Sequence, residues 1–88
     1  LKRNKMTEQI IQPREMEAFE EDSRWFYKNV AFLRKKNLTG KFVAIKNKEI
    51  IASDSNLDVL IKFVERKKEN PSYLVIEFVY PEGTVVLL

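Results

Sequence analysis

The chain has 88 residues, of which 44% are apolar and 33% are charged, and it contains no cysteine and no histidine. This length supports one hydrophobic core and therefore one domain. The missing residue types exclude disulfides, thiolate chemistry, zinc sites built on cysteine and a histidine proton shuttle. No apolar run reaches the roughly 18 residues of a membrane span, and the N-terminus lacks an apolar signal segment, so we expect a cytoplasmic protein.

The net charge of +3 is distributed unevenly. Residues 23–48 contain eight bases and no acid, whereas residues 1–22 contain four bases and six acids, and residues 49–88 four bases and seven acids. A local excess of this kind can attract an anionic partner. The two glycines among many lysines and glutamates are typical of proteins from hot-growing organisms.

The first predicted element is an amphipathic helix that begins at Pro13, since proline suits the first helical turn. We expect residues 1–12 to be disordered. One apolar stripe at the helical period contains Met16, Phe19, Phe26, Val30 and Leu33, and it is widened by Trp25 and Phe32. The helix should stop before Gly40, with this glycine supplying the left-handed conformation common at helix ends.

Residues 40–54 change to the pattern of a β-hairpin, with two apolar runs around Asn47 and Lys48. Lysine stands where a tight type I′ turn prefers glycine, which predicts a slightly longer loop. Both faces of the first strand are apolar, so each face of the sheet should be at least partly covered.

A second helix should start at a capping box formed by Ser55 and Asp58. Its buried face is predicted to contain Leu57, Leu60, Ile61 and Val64. Residues 73–80 then predict a strand, and residues 84–88 a last strand that could pair back or meet another chain. The sequence therefore predicts one α+β domain over residues 13–88, of order α-β-β-α-β-β, with two helices packed on a mostly antiparallel sheet of three or four strands.

Three stretches form a recognisable pattern: W-F-x-x-N at residues 25–29, G-K-F-V-A-I at residues 40–45 and I-I-A at residues 50–52. Together with the helix start at residues 55–61, they resemble a family of small prokaryotic domains of unknown function that is common in archaea, over roughly residues 22–79. The resemblance implies the fold and no active site. Members often have glycine where this chain has Lys48, a departure that concerns the turn.

The first helix and its end carry candidate nucleic-acid-binding residues, because clustered cations release counterions from phosphates. These are Arg24, Lys28, Arg34, Lys35, Lys36 and Lys41. The alternative is an ordinary solvated face whose last cations complement the helix dipole. Tyr27, on the basic side of the helix, is the candidate aromatic for stacking on a base.

The second helix carries candidate partner-binding residues. Val59 and Phe63 are one turn apart and project away from the Leu57 side. Either the first helix or a tail covers them, or they form an exposed pair that binds a protein, with Lys62 and Arg66 as a polar rim. The last strand is an edge that could also pair two copies of the chain.

The sequence assigns no catalytic, cofactor-binding or metal-binding residue. Asp54, Asn56 and Asp58 resemble the start of a calcium loop, but the loop's glycine is missing and helix capping explains them. We therefore expect a non-enzymatic interaction module or accessory subunit that binds a protein. The alternative is a nucleic-acid-associated accessory factor, for example a subunit of a replication or repair enzyme such as a DNA polymerase. A hydrolase using Asp54 or Glu77 is a third class.

Overall fold

The computed structural model describes the backbone of residues 13–84 and the side chains of residues 16–84. Its elements are α1 (Pro13–Lys35), β1 (Phe42–Lys46), β2 (Glu49–Asp54), α2 (Leu57–Arg66), a 3-10 helix (Pro71–Tyr73) and β3 (Val75–Phe78). The predicted α+β class is confirmed, with the order α-β-β-α-β. Residues 1–12, for which disorder was predicted, and 85–88, which hold most of the predicted last strand, lie outside the described range. Neither described helix is long and apolar enough to cross a membrane.

The three strands form one antiparallel sheet of order β2-β1-β3. The central strand is β1, and its residues Val43, Ala44 and Ile45 are fully buried. Alternate residues of β1 contribute to two separate cores, one beneath α1 and one beneath α2. The helices therefore lie on opposite faces of the sheet, which explains why β1 is apolar on both faces.

Helix α1 is longer than the sheet that it covers. Its 23 residues extend about 35 Å, whereas the longest strand extends about 20 Å. Phe26 and Leu33 are buried against the sheet as predicted. Met16 and Phe19, at the start of the predicted apolar stripe, lie beyond the end of the sheet and are 53% and 45% exposed, so this part of the stripe does not join the core. Phe32, at the flank of the helix, is exposed too.

The hairpin turn is tighter than the sequence predicted. Asn47 and Lys48 have φ angles of 53° and 60°, and Lys46 pairs directly with Glu49. Two successive left-handed residues make a two-residue type I′ turn, so the predicted longer loop was wrong. The carboxylate of Asp22 accepts the N–H groups of Asn47 (3.1 Å) and Lys48 (2.8 Å). This buried carboxylate attaches the turn to α1.

The end of α1 does not use Gly40, contrary to the prediction. The left-handed residue is Asn37, with φ of 65°, and the N–H of Leu38 donates to the carbonyl of Leu33. This is the Schellman arrangement, in which asparagine can replace glycine. Gly40 instead leads into β1, where its N–H donates to the carbonyl of Val79 (2.7 Å).

The start of α2 is one residue later than the predicted capping box. Asn56 is the N-cap, and its side-chain oxygen accepts the N–H of Val59 (3.1 Å). Asp54 accepts the N–H of Asn56 (2.7 Å), which orients the capping residue. Asparagine caps at least as well as serine, so the capping box of Ser55 and Asp58 was wrong.

The inner face of α2 is narrower than predicted. Leu60 and Val64 are fully buried and Ile61 is half-buried, as the helical period requires. Leu57 is 40% exposed, because it is the first helical residue and lies at the rim of the core.

The segment after α2 also differs from the prediction. The 3-10 helix occupies part of the predicted strand, and Asn70 caps it by accepting the N–H of Ser72 (2.9 Å). Strand β3 therefore begins at Val75, and Tyr73 is exposed.

Candidate interaction surfaces

The outer face of α2 exposes two apolar side chains. Val59 is 50% exposed and Phe63 is 44% exposed, while Leu60 and Val64 on the inner face are fully buried. Helix α1 lies on the opposite face of the sheet and does not cover this pair. Among the described residues, the pair is therefore open to solvent.

Cations surround this apolar pair. Lys62 and Arg66 are exposed on the same helix. The ammonium group of Lys67 lies 5.0 Å from the centre of the Phe63 ring and donates to the carbonyl of Ile51 (2.9 Å). This contact holds the ring beside the edge strand β2. The α2 surface, as we call Val59, Phe63 and these three cations, is apolar at its centre and positive around it.

The six candidate nucleic-acid-binding residues do not form a single surface. Arg24, Lys28 and Lys35 are exposed on the outer side of α1. Two others are engaged in local contacts: Arg34 Nε donates to the carbonyl of Tyr80 (2.8 Å), and Lys36 lies over the Phe32 ring. The remaining candidate, Lys41, directly precedes β1 and is half-buried.

The hairpin turn adds a cation that the sequence reasoning missed. Lys48 lines a groove of about 290 Å³ together with Arg24, Trp25, Lys28 and Glu21. We call this the basic groove. The sequence indicates this groove only through Asp22, an acid inside the apolar stripe of α1. A buried carboxylate needs hydrogen-bond donors from another element, which here is the hairpin turn. The aromatic side chain beside the cations is therefore Trp25, which was assigned to the flank of the core.

Tyr27 lies on the other flank of α1 and points toward β3. Its hydroxyl donates to Glu77 Oε2 (3.3 Å), and its ring packs edge-to-face against Phe26. Burial raises the pKa of Glu77, and the hydrogen bond from Tyr27 partly opposes this rise. Burial, followed by the charge of Glu77 and its hydrogen bond, raises the pKa of Tyr27.

The two carboxylates considered for hydrolysis are not brought together. Asp54 pairs with Phe42 and Glu77 pairs with Val43. Neighbouring residues of β1 point to opposite faces, so Asp54 lies on the α2 side of the sheet and Glu77 on the α1 side. Among the described residues, no group of three or more acidic side chains is placed to hold a metal ion.

The overhanging end of α1 forms a second groove that the sequence reasoning missed. It has a volume of about 400 Å³, and its apolar lining comes from Met16, Phe19 and Tyr73. Asp22 and Lys46 also line it. Comparing the predicted helix length with the strand lengths would have revealed this overhang, whereas periodicity alone did not.

Comparison with known proteins finds no match for this chain among protein-family models, curated proteins or solved structures. The resemblance to small prokaryotic domains of unknown function remains an expectation from the sequence.

Proposed function

We propose that the domain is a non-enzymatic binding module, an accessory subunit that holds an acidic and partly apolar segment of a protein partner on the α2 surface. The observation that supports this most is the exposure of Val59 and Phe63 on a helix whose inner residues Leu60 and Val64 are fully buried. Exposed aromatic side chains on a fixed element are typical anchors of protein interfaces.

The rigidity of α2 favours binding. Leu60 and Val64 fix the helix on the sheet, and Lys67 holds the Phe63 ring in place. A partner would lose little free energy in ordering this surface, because the side chains are already positioned.

The charge around the apolar pair defines the chemistry of the partner. Lys62, Arg66 and Lys67 surround the pair, and a partner with carboxylates at the rim would satisfy electrostatic complementarity. We propose that this binding takes place in the cytoplasm, on the basis of composition alone, since the chain has no cysteine.

The test begins with purification of the tagged full chain from its native lysate and identification of a stoichiometric protein. The bound segment of that protein is then mapped, prepared in pure form and titrated with variants of the domain. Phe63→Asp should weaken binding by about 30-fold or more, as loss of an interface anchor does. The control is Leu57→Asp, at a residue of similar exposure on the same helix, which should leave the affinity unchanged.

Two outcomes would contradict the proposal. One is a mapped segment that is basic instead of acidic. The other is equal affinity of the Phe63→Asp variant and the unaltered chain, with both shown to be folded by circular dichroism.

A further inference from the structure

We propose a second binding site, for single-stranded nucleic acid, in the basic groove formed by Arg24, Trp25 and Lys28 of α1 and Lys48 of the hairpin turn. This site is independent of the proposed function, because it lies on the α1 side of the domain and shares no residue with the α2 surface. Phosphates would contact the three cations, and a base would contact the exposed part of Trp25.

The basic groove is formed by a defined contact between α1 and the hairpin turn. The Asp22 carboxylate accepts both turn N–H groups, at 3.1 and 2.8 Å, and so places Lys48 beside α1. All three cations of the groove are exposed. Among the described side chains, the one ion pair within 4.0 Å joins Lys46 to Glu69. The acid that lines the groove, Glu21, therefore makes no direct ion pair with these cations.

The backbone of Lys48 adopts a conformation that is unfavourable for lysine. Its φ angle is 60°, in the left-handed region where glycine is favoured and a lysine is strained. The same conformation occurs at Lys68, so the strain alone does not mark a site, but at Lys48 the side chain also lines the groove. Here the side chain adds a third cation to Arg24 and Lys28.

Trp25 distinguishes this groove from an ordinary solvated face. The ring is half-buried against the α1-side core, which fixes it, and its remaining surface lines the groove. Cations that follow a backbone next to an aromatic face are the arrangement that single-strand binders use. Lys35 continues the positive surface about 10 Å further along the helix axis. The acid in the groove, Glu21, lies at the end that precedes Arg24 in the helix.

The chain itself provides a reporter for this site, since Trp25 is its only tryptophan. We expect single-stranded oligothymidylate to quench the tryptophan fluorescence of the full chain saturably, with an affinity that falls linearly against the logarithm of salt concentration.

The decisive variant is Lys48→Gly, which removes one cation and also relieves the backbone strain. This variant should unfold at higher temperature than the unaltered chain, yet bind the oligonucleotide more weakly. The salt slope, which is the slope of the logarithm of the binding constant against the logarithm of the salt concentration, should be smaller in magnitude by about 0.7. Opposite changes in stability and affinity separate a binding role from a folding role. The double variant Arg24→Gln, Lys28→Gln should reduce the slope by roughly 1.4, for two lost phosphate contacts.

The matched control is Lys68→Gly. Lys68 is also an exposed lysine in the left-handed region, with φ of 68°, but it follows α2. This variant should leave the affinity and the salt slope unchanged.

Three results would overturn the proposal. The first is unchanged affinity of Lys48→Gly. The second is equal or tighter binding of a duplex of the same length, which would remove the role of Trp25 stacking. The third is competition by polyglutamate at the same charge concentration, which would show that the groove selects an acidic polymer and not a nucleic acid.

Discussion

The two helices are attached to the sheet in different ways. Helix α2 contacts it through a compact apolar face, centred on Leu60 and Val64. Helix α1 combines an apolar face with polar contacts, of which the most buried is Asp22 at 7% exposure. This short helix matches the strand length and is positioned mainly by its apolar face, with one polar contact from Lys67 at its end to the carbonyl of Ile51. A helix that overhangs its sheet also needs directional contacts to fix its position along the axis, and Asp22 provides them at the hairpin turn.

The largest loss of stability should follow from a change in the apolar contact between α2 and the sheet. Leu60→Ala should lower the free energy of unfolding by about 2 to 5 kcal/mol, since it removes a fully buried side chain and leaves a cavity. Denaturation in urea measures the change. Val59→Ala, next to it on the exposed face, should change stability by no more than about 0.5 kcal/mol. Similar losses of stability for Leu60→Ala and Val59→Ala would contradict the assignment of Leu60 to the inner face and Val59 to the outer face of α2.

The next largest loss of stability should follow from a change in the polar contact between Asp22 of α1 and the hairpin turn. Asp22→Ala should lower the free energy of unfolding by about 2 kcal/mol, because two hydrogen bonds to a charged group are lost. Asp22→Asn keeps one acceptor oxygen and should lose about half as much. Hydrogen exchange of the Asn47 and Lys48 amides should accelerate in the alanine variant. Unchanged exchange would show that the turn does not depend on α1.

The helix ends offer a finer comparison, because both use a left-handed residue that is not glycine. Lys68→Gly at the end of α2 should raise the free energy of unfolding by about 1 kcal/mol, since lysine is strained at φ of 68°. Asn37→Gly at the end of α1 should give only a few tenths of this, because asparagine tolerates the conformation. Thermal unfolding of the two variants checks the order, and the reverse order would be inconsistent with this explanation.

The smallest change in stability should result from substitution of Glu77, and its size should depend on pH. Burial raises its pKa in the folded state, so its contribution to stability is greatest below its unfolded pKa and is lost as pH rises through the folded value. Glu77→Gln should therefore be slightly more stable than the unaltered chain at pH 7, with the difference vanishing near pH 4. Urea titrations across this range measure it.

The sequence predicted the parts of the fold that depend on local pattern. The hairpin and the inner face at Leu60 and Val64 each follow from residues within a few positions of one another. The capping error at α2 was of the same local kind, since Ser55 and Asn56 are adjacent candidates and only the geometry after Asp54 selects between them.

The candidate sites were less predictable. Exposure of Val59 and Phe63 follows from the helical period, but the sequence alone left open whether another element covered them. The basic groove depends on a contact between Asp22 and a turn 25 residues away, which no local pattern contains. Propensity also predicted a longer loop at Lys48, and thereby hid the turn that places this cation beside α1.

The structure of the edge strand β2 limits where a further strand can be added to the sheet. Ile51 is an extra residue in its pairing with β1, and the carbonyl of Ile51 is already bonded to Lys67. A bulge together with a lysine obstructs the addition of a further strand. Any extension of the sheet, by residues of this chain or of a second copy, should therefore occur beside β3. A sheet that accepts neighbours on one side only can form a closed pair of molecules, but it cannot propagate into a filament.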